Sequence, residues 1–208
     1  MGELISLADR RADRSTRANH ATPAFFFDLC CPFSYLAAER VERLLGEVEW
    51  IAASSVEVGD GSWQLPEAAQ LAAERRAGEL RLPLVWPDRF PLSVPALLRA
   101  ASYASTIGCG AQFALAAMRL AFCGGFDLED PEILAEAAAA AGIPLDDCFG
   151  AIGNPKLDAS LRATARGLRT RGVRRLPAVR VGSRLIDGEL RLVEAAALLR
   201  APAARSAG

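Results

Sequence analysis

The sequence predicts an α/β fold in which two strand-containing segments flank a long run of helices. Three observations lead to this prediction. The chain opens with a β-α-β pattern over residues 24–58, and it closes with a β-β-α pattern over residues 178–200. Between them, residues 65–171 carry almost only helical periodicity, interrupted by prolines and glycines.

The opening β-α-β unit begins with residues 24–29, a short apolar run rich in aromatic side chains that predicts a buried strand. Pro32 then suits the first turn of a helix, apolar residues recur at helical spacing, and Gly46 is expected to end that helix. The β-branched residues of the segment 48–58 predict a second strand. Such a unit gives two parallel strands joined by a crossover helix.

The middle of the chain is predicted to be an all-helical insertion. Several of its helices are expected to end at glycines, and residues 82–95 form a loop because their four prolines cannot lie inside one helix. Asp130 and Pro131 have the chemistry of an N-cap and a first helical residue.

The end of the chain predicts a hairpin and a closing helix. Residues 178–181 and 183–187 are short strands that meet at Gly182, which suits a tight turn. The whole order is β-α-β, helical insertion, β-β-α. This is the order of a thioredoxin fold with a large all-helical insertion between its halves.

The same pattern divides the chain into domains. We expect residues 1–22 to be a flexible tail, 23–60 and 172–203 to form the thioredoxin-like domain, and 61–171 to form the insertion domain. The arginine-rich tail has no apolar run of the kind a secretory signal needs, and no later stretch is long enough to span a membrane. We therefore expect a cytoplasmic protein.

Composition excludes several classes of function. The net charge of −1 over 208 residues gives no reason to expect nucleic acid or an anionic membrane as partner. Five cysteines, an odd number without CxxC spacing, argue against a disulfide framework. The only histidine, His20, lies in the tail, so neither a zinc site nor a Cys–His catalytic pair is expected.

Cys31 is the principal candidate for chemistry because it stands where the first strand ends and a helix begins. Unpaired N–H groups and the helix dipole there favour a thiolate, so its pKa is expected to lie below the free value of about 8.5. Ser34, one turn along the helix, can donate a hydrogen bond to that sulfur or to a bound thiol. Cys30 is expected to point into the core. The alternative is that Cys31 is only a small buried hydrophobic residue of the core.

A second motif surrounds Leu176 and Pro177, just before the third predicted strand. A proline at that point suits a tight turn, and a cis bond is one way to make it. In a thioredoxin fold this loop lies against the nucleophile, where the backbone of Leu176 could pair with a bound thiol or peptide. The alternative is a trans proline that opens an edge strand.

Residues 31–45, CPFSYLAAERVERLL, resemble the DsbA-like group of the thioredoxin superfamily. That group includes disulfide oxidoreductases with C-P-x-C. It also includes 2-hydroxychromene-2-carboxylate isomerases and kappa-class glutathione transferases, which carry S-P-Y-S-type sequences. The CPFS sequence combines the first cysteine of the former with the final serine of the latter. Residues 78–91, 113–143 and 172–192 resemble segments of the isomerase and transferase branch, so the resemblance covers residues 23–200.

The resemblance implies an enzyme that uses a small thiol such as glutathione, binds no cofactor tightly and forms a homodimer. It implies catalytic roles for Cys31 and Ser34. The residues implied to bind the small thiol are Pro32, Phe33, Leu176, Pro177 and Arg191. The sequence departs from the branch in three places: Ser93 stands where the branch has Asn, Leu190 stands before Arg191 where an Asp–Arg pair opens the last helix, and the branch's upstream lysine has no counterpart. That Asp holds the amino end of glutathione in the branch.

Three functions remain open. The first is a thiol-dependent oxidoreductase with Cys31 alone, in which Ser34 cannot release a mixed disulfide and an external thiol must do so. The second is a small-thiol-dependent isomerase or transferase acting on an unsaturated organic substrate. Its apolar pocket is expected from Trp86, Phe90, Phe113 and Met118, which are otherwise core residues. The third is a non-catalytic binding relative, for which Leu190 is the main support.

Overall fold

A four-stranded mixed sheet lies at the centre of the structure, a computed structural model that describes residues 22–59, 66–87, 89–90 and 93–200. The strands are β1 (Ala24–Phe27), β2 (Glu49–Ala52), β3 (Ala178–Val181) and β4 (Arg184–Asp187). Their order across the sheet is β2-β1-β3-β4. β1 pairs in parallel with β2 and antiparallel with β3, and β3 and β4 form an antiparallel hairpin.

Nine α-helices are described around the sheet. They are α1 (Pro32–Leu45), α2 (Ser55–Val58), α3 (Glu67–Leu80), α4 (Pro95–Thr106), α5 (Gly110–Phe122), α6 (Pro131–Ala140), α7 (Leu145–Ile152), α8 (Pro155–Thr170) and α9 (Leu192–Arg200). A short 3-10 turn, Glu189–Arg191, precedes α9. The predicted thioredoxin fold with a helical insertion is confirmed.

Local sequence explains where these elements begin and end. Pro32 opens α1, and Gly46 ends it with a positive φ of 76°, a conformation that glycine adopts without strain. The Asp130 carboxylate accepts a hydrogen bond from the backbone N–H of Glu132 at 2.9 Å, so the predicted N-cap of α6 is confirmed.

The prediction of a continuous strand over residues 48–58 is wrong in its second half. The strand ends at Ala52, and the Ser54 hydroxyl accepts a hydrogen bond from the Glu57 N–H, which caps α2. The Asp28 carboxylate also accepts the Ser55 N–H at 2.6 Å. Two polar side chains therefore satisfy backbone donors of the first turn of α2, and this outweighs the β-propensity of the two valines.

The two faces of the sheet carry separate apolar clusters. The larger one joins Phe25 and Phe27 of β1 to α1 and to helices of the insertion. The smaller one lies on the other face and consists of Ala24, Phe26, Ala53, Val58, Ala165, Leu168, Val173, Leu176 and Ala178. Because α8 supplies Ala165 and Leu168 to that smaller cluster, it covers the sheet. We propose that the boundary of the insertion, expected at residue 171, lies before α8.

A buried ion cluster ties the insertion to the sheet domain. Glu189, 3% exposed, accepts hydrogen bonds from Arg40 of α1 and from Arg76 of α3. The two bonds from Arg76 measure 2.7 and 3.1 Å. One carboxylate thus links α1, which follows Cys31, with the first helix of the insertion and with the turn before α9.

Two expectations lie outside the described residues. These are the flexible tail, of which residues 1–21 with His20 are not described, and the C-terminal end from residue 201 onwards. In the described part of the chain, no helix combines the length and apolar character that crossing a bilayer requires.

Candidate functional site

Cys31 lies at the N-cap of α1, directly after the turn that follows β1. The turn is closed by a hydrogen bond from the Cys31 N–H to the Asp28 carbonyl at 3.1 Å. The Cys31 side chain extends toward the Leu176–Pro177 loop, and its Sγ lies 3.5 Å from the Leu176 carbonyl oxygen. The residue is only 3% exposed. The two sequence motifs, 145 positions apart, therefore meet at the sulfur.

The loop that carries Leu176 is fixed on both sides of its cis Leu176–Pro177 bond. Before it, Gly172 adopts a positive φ of 89° after α8, and the Val173 N–H bonds back to Leu168 at 3.0 Å. After it, the Pro177 carbonyl accepts the Gly188 N–H at 2.7 Å. Among the described residues, none accepts a hydrogen bond from the Leu176 N–H.

Ser34 is fully buried near Cys31, and a backbone group of the turn before α1 bonds to its side chain. Its Oγ accepts a hydrogen bond from the Asp28 N–H at 3.2 Å. The hydroxyl hydrogen is therefore left to donate, and its hydrogen bond to the Cys31 sulfur acts to lower the pKa of the thiol. This is the contact that the spacing of the two residues predicts.

The predicted low pKa of Cys31 is wrong for this structure. Burial raises the pKa of the thiol from 9.0 to about 11, because the thiolate would lose its hydration. The Ser34 hydroxyl and the N–H groups of Ser34 and Phe33 lower the pKa, as expected at a helix N-terminus, but they do not outweigh the burial. At neutral pH the thiol is therefore protonated and donates its hydrogen bond to the Leu176 carbonyl.

Asp28 organises the backbone around the thiol and escaped the sequence analysis. One carboxylate oxygen accepts the Cys30 N–H at 2.9 Å, and the other accepts the Ser55 N–H at 2.6 Å. Burial raises the pKa of Asp28, while the hydrogen bonds from Ser55 and Cys30 lower it. The available signal was a carboxylate inside an otherwise apolar run, since a buried acid needs partners.

None of the other cysteines forms a disulfide with Cys31. Cys30 is buried in the larger cluster, as predicted, and burial raises the pKa of its thiol well above the ordinary value. Cys123 is half-buried, and its Sγ lies 3.2 Å from the Tyr35 hydroxyl, which also donates to the Pro83 carbonyl. All five thiols are free.

The residues predicted to bind a small thiol lie in two places. Pro32 is buried in the first turn of α1, and Phe33 is half-buried against the larger cluster. These two and the Leu176–Pro177 loop adjoin Cys31. Arg191 does not contact that group, because its guanidinium bonds to Glu194 at 2.8 Å and faces Asp187 at 3.4 Å.

At the position of the Asp that opens the last helix in the branch, this chain presents no carboxylate to a ligand. Leu190 is 72% exposed and apolar. Its acidic neighbour Glu189 is turned inward and committed to Arg40 and Arg76. The departure from the Asp–Arg pair is therefore not compensated by the adjacent residue.

The residues expected to form an apolar pocket are divided between core and surface. Phe113 and Met118 are fully buried in the larger cluster, so the expectation that they line a pocket is wrong. Trp86 and Phe90 are half-buried and pack edge to face, with ring centroids 5.5 Å apart. Both lie against Phe122, at 6.3 and 6.0 Å.

Comparisons with known proteins agree with the fold. The family model of the DSBA-like thioredoxin domain matches residues 24–200. No curated protein sequence matches the chain.

Solved structures share the fold at low sequence identity. A 2-hydroxychromene-2-carboxylate isomerase superposes with a TM-score of 0.74 at 16% identity, covering 86% of this chain and 94% of its own. A probable DsbA oxidoreductase from Streptomyces coelicolor gives 0.70 at 19% identity, covering 88% of this chain and 92% of its own. The cytosolic disulfide reductase DsbM from Pseudomonas aeruginosa, determined with GSH, gives 0.62 at 19%, covering 86% and 97%.

Proposed function

Because the chain belongs to the DSBA-like thioredoxin domain family, we propose that it is a thiol-dependent oxidoreductase with a monothiol site at Cys31. The observation that carries the proposal is the position of the Cys31 sulfur. It lies between the N-terminus of α1 and the Leu176 carbonyl, 3.5 Å away. A disulfide whose backbone pairs with Leu176 would place one of its sulfurs against this thiol.

The raised pKa of Cys31 is that of the protein without substrate, in which the thiol is buried. One change on substrate binding lowers this pKa. A substrate N–H that bonds to the Leu176 carbonyl takes away the acceptor that favours the protonated thiol. The Ser34 hydroxyl and the N–H groups of Ser34 and Phe33 remain, and these favour the thiolate. In this proposal, binding of the correct substrate activates the nucleophile.

The reaction proceeds by thiol–disulfide exchange in two steps. The Cys31 thiolate attacks one sulfur of the substrate disulfide, so that a Cys31–substrate disulfide forms and the other substrate sulfur leaves as a thiolate that takes up the proton. A second thiolate, from a small thiol, then attacks the substrate sulfur of this mixed disulfide. Cys31 is regenerated as a thiolate, and the substrate sulfur ends in a disulfide with the small thiol.

The small thiol is necessary because the residue one turn after Cys31 is Ser34, which cannot form a disulfide. The protein residues fit glutathione only in part. The Leu176 N–H and carbonyl suit its backbone, whereas Leu190 and the paired Glu189 present no free carboxylate where the branch has the Asp that holds the ammonium. We therefore propose a small thiol as the second reactant and do not specify glutathione. With all five thiols free, we propose a reducing, cytoplasmic location.

The test is turnover of a mixed disulfide between glutathione and a model peptide, with glutathione or another small thiol as reductant. We expect activity in the unaltered chain and its loss in Cys31→Ser. Cys109→Ser, which alters a half-buried thiol at the start of α5, is the matched control and should retain activity. Equal turnover by Cys31→Ser would contradict the proposal.

A second candidate is a small-thiol-dependent isomerase or transferase. The observation that favours it is the half-buried aromatic surface of Trp86 and Phe90, which adjoins Phe122 and, through it, Tyr35 in the active-site helix. In this case Cys31 and Ser34 would stabilise the sulfur of a bound thiol that adds to an unsaturated substrate. Turnover of such a substrate by Cys31→Ser, together with no reduction of disulfides by the unaltered chain, would favour this candidate.

A further inference from the structure

The C-terminal end of α8 carries a shallow, open pocket of about 320 Å³. Its lining residues are Arg166, Arg169, Thr170 and Arg174, all of them exposed. We call it the arginine pocket. Three of its four lining side chains are thus permanently charged guanidinium groups.

The orientation of these arginines comes from backbone oxygens and not from acids. Arg169 donates to the Glu57 carbonyl at 3.3 Å, and Arg174 donates to the Arg169 carbonyl at 3.3 Å. The Arg166 guanidinium bonds to no described residue. Throughout the described ranges, no carboxylate forms an ion pair with any of the three.

One carboxylate does come near the loop, but it is engaged elsewhere. Asp187 accepts the backbone N–H of Arg174 at 3.3 Å, and its other oxygen faces the Arg191 guanidinium at 3.4 Å. The pocket therefore keeps its positive charge, whereas seven other arginines among the described residues form ion pairs with acids.

The negative end of the α8 dipole is too small to balance the charge of three arginines. The C-terminal end of a helix is equivalent to about half a negative charge, which one cation satisfies. Three guanidinium groups leave an excess of roughly two positive charges. An excess of that size matches a dianion, and planar N–H forks pair well with tetrahedral phosphate oxygens.

We propose that the arginine pocket binds the phosphate group of a small molecule. Its volume is at the lower end of ligand sites, which run from about 300 Å³, and this leaves room for a phosphate and a short organic body. The pocket is separate from the Cys31 thiol but close to its loop, because Arg174 stands two residues before Leu176. The proposal does not depend on the thiol chemistry.

Isothermal titration calorimetry at low ionic strength tests it, with inorganic phosphate, glycerol 3-phosphate and acetate as probes. Arg166→Gln is the main variant, because its guanidinium has no described protein partner and the fold should not depend on it. Arg169→Gln with Arg174→Gln is the stronger variant. The charge-matched control is Arg43→Gln with Arg75→Gln, two exposed arginines on α1 and α3, the first of them also in the last turn of its helix.

We expect both phosphate probes to bind more tightly than acetate. Arg166→Gln should weaken binding about tenfold, as expected for one charge-assisted contact, and the double variant should abolish it. The control should stay within about twofold of the unaltered chain. Tighter binding of glycerol 3-phosphate than of phosphate would indicate an organic ligand, and the reverse would indicate the free anion.

Three results would overturn the proposal. They are no heat of binding with either phosphate probe, binding of acetate as tight as that of phosphate, and equal weakening in the control variant. The last would mean that the anions respond to the overall charge of the protein. Because activity is not the readout, failure here leaves the proposed thiol reaction untouched.

Discussion

Raising the pH should destabilise the protein through Cys31 in particular. The folded state holds the thiol pKa at about 11, against an ordinary value of 9.0 that the unfolded chain should show. Between these two values the unfolded chain has released the proton and the folded protein has not. Stability is then lost as pH rises, because the unfolded state binds fewer protons. A difference of this size corresponds to about 3 kcal/mol, fully present below pH 9 and lost as the pH rises through about 11.

The assay is urea unfolding in reducing buffer at intervals from pH 8 to pH 11, for the unaltered chain and for Cys31→Ser. Serine has nearly the same shape and does not titrate in this range. The difference in unfolding free energy between the two proteins should therefore change by about 2 kcal/mol across this range, whereas contributions from the other thiols cancel. A difference that stays constant across the range would refute the argument that burial keeps this thiol protonated.

Three further variants test the surroundings of the site. Asp28→Ala leaves the buried N–H groups of Cys30 and Ser55 without acceptors and should cost about 2–5 kcal/mol in urea unfolding; a loss below about 1 kcal/mol would contradict the role of the carboxylate. Ser34→Ala removes the hydroxyl that acts on the Cys31 sulfur, so the pH midpoint of Cys31 alkylation, followed by mass spectrometry, should move upward; an unchanged midpoint would exclude that contact. Glu189→Ala leaves two cations unpaired and should cost about 3–5 kcal/mol by the same unfolding assay, and full stability in this variant would show that the ion cluster is unimportant.

Much of the fold could be predicted from local pattern. The strand before Cys31, the helix from Pro32 to Gly46 and the hairpin at Gly182 follow from period, proline and glycine. The segment after Ala52 could not be predicted in this way. Its helix depends on the Asp28 carboxylate, 27 positions away, and a contact over that separation leaves no periodic signal.

The meeting of Cys31 with Leu176 was predictable, because the element order implied a thioredoxin fold and the fold places this loop against the nucleophile. The state of the thiol was not. Its pKa depends on the balance between the helix N-terminus, which position in the chain reveals, and burial, which depends on the packing of distant segments. The same limit applies to Phe113 and Met118, whose spacing cannot distinguish a pocket wall from the core.

The most direct test of the central claim is to trap the mixed disulfide. The reduced protein is incubated with glutathione disulfide at pH 8, quenched with acid, and examined by intact mass and by peptide mapping. Our account predicts a single glutathionyl group on Cys31, released by excess small thiol and absent from Cys31→Ser. An unmodified Cys31, with any adduct confined to half-buried Cys109 or Cys123, would contradict the claim that Cys31 is the nucleophile of this protein.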